Sequence, residues 1–209
     1  LFQDAAILKA LYVTLSVAVI AALAATILGT LAAIGIHAMR KRPQGIMMTM
    51  TTLPLTIPDI VTGISLMILF TFAKIERGYV TMLLAHITFN TPFVILSVMP
   101  KLKQMNPHTY EAALDLGAKP SYALIHVILP EIVPGIITGC LLAFTLSLDD
   151  FVISYFTTSP NVQNLSTLIY SKARIGIEPT LNALSALMFL SLLILLLTVN
   201  RRAARAEKQ

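Results

Sequence analysis

Three carboxylates occupy positions where a carboxylate is expensive. Asp59, Asp149 and Asp150 each lie inside a long apolar stretch. A charged side chain at the centre of a membrane helix costs about 2.5–3.5 kcal/mol on insertion scales. No Lys or Arg within these apolar stretches is available to pair with them. Their partner is therefore a water-filled path, another subunit or a cationic substrate. Adjacent residues on a helix point about 100° apart, so Asp149 and Asp150 cannot both face one pore in the same way. One can hold substrate while the other makes a structural hydrogen bond. Ser147 and Thr145 add polar groups to the same segment, which ranks this pair above Asp59. Asp59 follows Pro58 near a broken helix start, where capping is an alternative role. The candidate pathway residues are Asp59, Ser147, Asp149 and Asp150. Phe89, Phe151, Tyr155 and Phe156 could add cation–π attraction, although packing and interfacial anchoring are their ordinary roles.

Other chemistries lack their residues. There is no phosphate loop of the form GxxxxGKS or GxxxxGKT, so any ATP must be hydrolysed by another chain. There is no HExxH for a metalloprotease and no GxSxG nucleophile elbow. His37, His86, His108 and His126 show no metal-ligand spacing. No metal and no other cofactor is expected on this chain. His86 lies within a span and can hydrogen-bond a neighbouring helix. A single cysteine, Cys140, excludes an intrachain disulfide framework.

The elements that must position the acids follow from composition. The 209 residues are 56% hydrophobic and 12% charged, against about 45–50% and 25% in soluble domains. That excludes disorder, a coiled coil and an ordinary soluble domain, and predicts an all-α polytopic membrane protein. A spanning helix needs about 20 mostly apolar residues. Five stretches qualify, at 10–36, 51–73, 79–99, 133–157 and 180–199. Ten of the fifteen basic residues fall on one side if the C-terminus is cytoplasmic, and the positive-inside rule favours that orientation. The surplus of +5 is thereby topological and implies no nucleic acid. Five spans then put Leu1 outside, and a sixth helix is expected upstream of it. Small residues recur as Ala21, Ala25, Gly29 and Ala33 on the first span and as Gly135 and Gly139 on the fourth. They predict close intramolecular helix packing. Pro54 and Pro58 interrupt the second span, and Asn90 with Pro92 interrupts the third, as static kinks.

The longest polar stretch between spans covers residues 101–131, on the inner side. It reads as two short helices. Asn106 is a good N-cap with Pro107 at the first helical position. Gly117 ends the first helix in a conformation of positive φ. Pro120 starts the second, and Pro130 closes it before the fourth span.

Within this stretch Glu111, Ala112 and Ala113 are followed after three residues by Gly117, after nine more by Val127, and then by Leu129 and Pro130. That resembles the EAA signature of ABC importer permeases, with Val127 in place of the usual Ile. Further residues resemble the permeases of spermidine/putrescine importers, the second of the two in such systems above all. They are Pro58 with Asp59, Ile60 and Val61; His86, Ile87, Thr88 and Phe89; Pro92, Phe93 and Val94; the segment from Thr145 through Phe151; and Asn182, Ala183 and Leu184. The likeness runs over nearly the whole chain.

The resemblance implies one permease domain over residues 1–209, with a coupling loop at 101–131. It also implies that Glu111, Ala112, Ala113, Gly117, Leu129 and Pro130 transmit closure of a cytoplasmic ATPase dimer, which carries the ATP and Mg. It implies three further partners: a homologous second permease, a periplasmic polyamine-binding protein and the lipid of a bacterial inner membrane. The chain would then be a transport subunit and no enzyme. Two alternatives stand beside this reading. One is an ABC importer for another solute. The other is an ion-coupled secondary transporter using Asp149 and Asp150, against which the EAA loop argues because a secondary carrier has no ATPase to dock.

Overall fold

In a bilayer every backbone N–H and C=O must be satisfied internally, so long apolar stretches without charge fold as helices. The computed structural model describes residues 4–174, 176, 182–190, 193, 194 and 197. Among them the chain forms α1 (Ala5–His37), α2 (Lys41–Thr56), α3 (Asp59–Phe72), α4 (Tyr79–Gln104), α5 (Thr109–Asp115), α6 (Pro120–Ala123), a π turn (Leu124–Ile128), α7 (Leu129–Asp149), α8 (Val152–Thr157) and α9 (Leu165–Ala173). Residues 182–190 are also helical.

The helices α1, α4 and α7 pack into a three-helix core around Ala22, Ala25, Ala33, Val94, Val98 and Ile132. Small residues make the approach possible, as expected. A Cβ on Gly29 would stand 2.7 Å from Val94 Cβ, and one on Gly139 would stand 3.2 Å from Val94 Cα. The opposite face of α1 carries Leu23, Ile27 and Leu31 outward. A lipid surround accepts such a face where water would not.

Two spans depart from the expected outline. The second does not run unbroken over 51–73: α2 and α3 meet at Ile57 and Pro58 with a bend of 102°. Pro58 cannot donate to the preceding turn and pushes Ile57 into extended backbone (φ −85°, ψ 133°). The fourth was expected over 133–157, but its helix runs from Pro120 to Asp149 and is interrupted at Asp150 and Phe151 before α8. Nor does Pro130 close a separate short helix. In the π turn the Leu129 N–H bonds to the Leu124 carbonyl five residues back, and this wide turn carries the helix past the missing Pro130 donor. Asn90 and Pro92 do not interrupt α4, which is continuous through both.

Among the described residues three helices are long and apolar enough to cross a membrane, or four where the bent α2–α3 pair counts as one span. Of the fifth expected span, 180–199, residues 182–190 are helical, and Leu184 packs with Ile7, Ala10, Leu165 and Leu168. Much of the rest of that span, including 180, 181 and 198–199, lies outside the described residues, as does the C-terminal tail.

Candidate functional site

The interruption of the fourth span builds the site. Here α7 ends at Asp149 and α8 starts at Val152, with two residues between them, so the first N–H groups of α8 need acceptors inside the protein. Asp150 supplies them. Its Oδ2 accepts from the Ser154 N–H at 2.8 Å and its Oδ1 from the Ile153 N–H at 3.3 Å. His86 of α4 brings Nε2 to 3.0 Å from Ser154 Oγ and 3.5 Å from Asp150 Oδ2. Asn164 donates through Nδ2 to Ser154 Oγ at 2.8 Å and to the Asp150 carbonyl at 3.2 Å. His86 thus bonds a neighbouring element, as its place in a span suggested.

The adjacent acid is treated differently. Asp149 is exposed, and its carbonyl, not its carboxylate, accepts from Ser166 Oγ at 3.4 Å. No Lys or Arg among the described residues pairs with Asp59, Asp149 or Asp150. The two neighbouring acids therefore divide: Asp150 caps a half-helix and Asp149 stays open. Ser147 is buried and accepts from Asn90 Nδ2 at 2.7 Å across the α4–α7 seam. Asp59 stands exposed at the first position of α3, beyond the bend. Its helix packs on α8, where a Cβ on Gly63 would come 2.9 Å from Phe156 Cδ2.

Aromatic rings gather beside the interruption. Phe151 lies 5.4 Å from Tyr155 and 4.7 Å from Tyr170 between centroids. Phe89 instead packs against a cluster of Phe70, Ala85 and Ile153. Sequence reasoning missed Tyr170 and the whole of α9. The available signal was Asn164, an N-cap whose Oδ1 accepts the Thr167 N–H at 2.9 Å, followed by apolar residues at helical spacing.

The EAA residues form a separate unit. Gly117 has φ +86°. The Ala118 N–H reaches the Ala113 carbonyl at 3.1 Å, and the Gly117 N–H reaches that of Leu114 at 2.9 Å, which is the Schellman closure of α5. Glu111 pairs with His108 Nδ1 at 3.2 Å on the exposed face. Ala112 is exposed and Ala113 half-buried, while Leu116, at the tip, is 90% exposed. Leu129 and Pro130 continue directly into α7.

The family profile described as the inner membrane component of binding-protein-dependent transport systems matches residues 9–207. The chain belongs to this family. This permease is 40% identical over 216 residues to the putrescine transport system permease protein PotI of Escherichia coli (strain K12), covering 100% of this chain and 77% of that one. It is 36% identical over 197 residues to the spermidine/putrescine transport system permease protein PotC of the same strain, covering 94% and 75%. Two solved structures share the permease's fold. One is an inward-facing MetNI methionine ABC transporter (TM-score 0.76, 15% identity, 95% of each chain covered). The other is a bacterial alginate ABC transporter (TM-score 0.73, 19% identity, 100% and 82% covered). The chain is thus an integral inner-membrane permease with the fold of ABC transporter membrane subunits.

Proposed function

We propose that this permease moves polyamines, putrescine or spermidine, through a path shared with a second, homologous permease, driven by a cytoplasmic ATPase dimer and supplied by a periplasmic polyamine-binding protein. The observation that carries the reading is the identity of 36–40% to PotI and PotC over nearly the whole chain. The site chemistry supports it. An open carboxylate without a basic partner suits an ammonium group, and an anionic solute would be repelled there. Asp149 is the carboxylate that meets the substrate. Asp59 adds a second negative charge at the other broken span, and Ser147 and Asp150 hold the α7 end in shape.

Coupling runs through Glu111, Ala112, Ala113 and Gly117 to Leu129 and Pro130, with ATP and Mg bound by the partner. The C-terminus is cytoplasmic, on the count of basic residues. Thiol labelling of a cysteine placed at 205 from the outer side of intact cells would contradict that orientation.

The deciding experiment is uptake of labelled putrescine and spermidine into vesicles holding the permease pair, ATPase and binding protein. ATP-dependent accumulation of either amine is expected. Accumulation of another solute in their place would overturn the substrate assignment.

A further inference from the structure

A histidine inside a membrane span with 1% of its surface exposed needs a reason to be there. The ring of His86 supplies one by geometry. Its Nε2 faces two oxygens at once, Ser154 Oγ at 3.0 Å and Asp150 Oδ2 at 3.5 Å. The hydrogen bond is the one to Ser154 Oγ, and the Asp150 carboxylate stands at ion-pair distance beside it, where a proton on Nε2 is favoured over a lone pair facing a second lone pair. With that proton in place the N–H is given to the Ser154 hydroxyl and its positive end faces the carboxylate. The carboxylate itself accepts from the N–H groups of Ile153 and Ser154, so His86 adds a third N–H dipole on its open side. Asn164 fixes the same hydroxyl from the far side and is itself fixed by Thr167.

We infer that His86 is a positioning residue for translocation: it holds Asp150 in the cap of α8, so that Asp149 alone presents a carboxylate at the span interruption. The inference rests on the proposed movement of a cationic amine. Without the His86 N–H, the Ser154 hydroxyl loses its partner and Asp150 loses the dipole that faces one side of its cap. Both acids then become available within one interruption, and the geometry offered to an ammonium group changes.

The test uses the reconstituted complex and two readouts, one independent of substrate. A water-soluble carbodiimide with glycine ethyl ester, read by mass spectrometry, reports which carboxylate is free. In the wild type Asp149 is modified and Asp150 protected. In His86→Phe, which keeps the ring and removes the donor, Asp150 modification is expected to rise severalfold. KM for spermidine uptake is expected to rise severalfold, on the scale one buried hydrogen bond gives, with kcat changed much less. His86→Gln restores a donor at similar reach and should return both readouts most of the way to wild type. Ser154→Ala, which takes away the shared hydroxyl, should move both in the same direction as His86→Phe, and it carries the test if that variant does not assemble. Continued protection of Asp150 in the variant that assembles, or a fall in kcat at constant KM, would overturn the inference. A shifted footprint in the variants, with a wild-type complex that takes up no polyamine, would instead leave the positioning role intact and sink the substrate assignment.

Discussion

Gly135 of α7 lies against the backbone of Ser97 in α4: a Cβ there would stand 2.9 Å from the Ser97 carbonyl oxygen. A backbone atom cannot rotate away as a side chain can, so the seam has no room at this point. Gly135→Val is expected to lower stability by about 1–3 kcal/mol, the usual cost of overpacking. Thermal unfolding in detergent measures it. Gly45→Ala, with nothing within 4 Å of the new atom, is the control and should melt at or above wild type. An unchanged melt for Gly135→Val would mean that the two helices are not in contact there.

Gly117 poses the opposite case. Nothing lies within 4 Å of its would-be Cβ, yet φ is +86°. Any loss at this position is therefore backbone strain, about 1–2 kcal/mol for a residue with a side chain. Gly117→Val is expected to distort the α5 closure and abolish substrate-stimulated ATPase turnover while the helices still insert. Gly117→Asn, which tolerates positive φ, should keep most of it. Normal stimulation in Gly117→Val removes this residue from the coupling unit.

Asp149 and Asp150 should separate cleanly under the same substitution. Asp149→Asn is expected to cut uptake at least tenfold with an unchanged melting temperature, because no hydrogen bond or basic partner from another described residue holds its carboxylate. Asp150→Asn leaves one acceptor oxygen where two N–H groups each have one, and should cost about 1–2 kcal/mol of stability, as an N–H left without its acceptor does. Uptake and detergent melts on both variants decide it. Equal melts with equal uptake would erase the distinction between the two acids.

The start of α1 is tied to α9 by Lys172 Nζ and Asp4 Oδ2 at 3.0 Å. The Lys172 hydrogen bond, with the Ala6 N–H behind it, holds the Asp4 carboxyl below its ordinary value of 3.8. A depressed folded value means that this tie contributes fully above the ordinary carboxylate range. It is lost only as pH falls through the lower folded value. Hydrogen exchange of α9, corrected for intrinsic rate, should stay constant from neutral pH down to about 4 and rise below it. Asp4→Asn should show the faster exchange at every pH. Loss of protection already near pH 6 would assign the tie to another group.

Much of this arrangement is legible in residue order. The run of Ala21, Ala25, Gly29 and Ala33 announces a buried helix face before any partner is known. Gly117, four residues after Ala113, announces a turn of positive φ. What residue order does not carry is direction. Pro58 marks an interruption, but the 102° bend depends on what α3 packs against, here α8 through Gly63 and Phe156. Pro130 reads as a stop, yet the π turn just before it absorbs the missing donor. That two adjacent acids would split into cap and open carboxylate was foreseeable from their 100° separation. Which one caps shows only in the fold, where His86 and Asn164 both meet Ser154 Oγ beside Asp150.

One consequence of the helix running from Pro120 to Asp149 is mechanical. Its 30 residues make a strut of about 45 Å at 1.5 Å per residue, with the EAA turn at its foot and the open carboxylate at its head. Apart from the π turn at Leu124–Ile128, it has no break before Asp149, and a helix of that kind carries thrust and torque along its axis. A displacement imposed beside Gly117 would thus be carried toward Asp149, and it would be taken up at the π turn or at Asp150 and Phe151, where the backbone ceases to be helical.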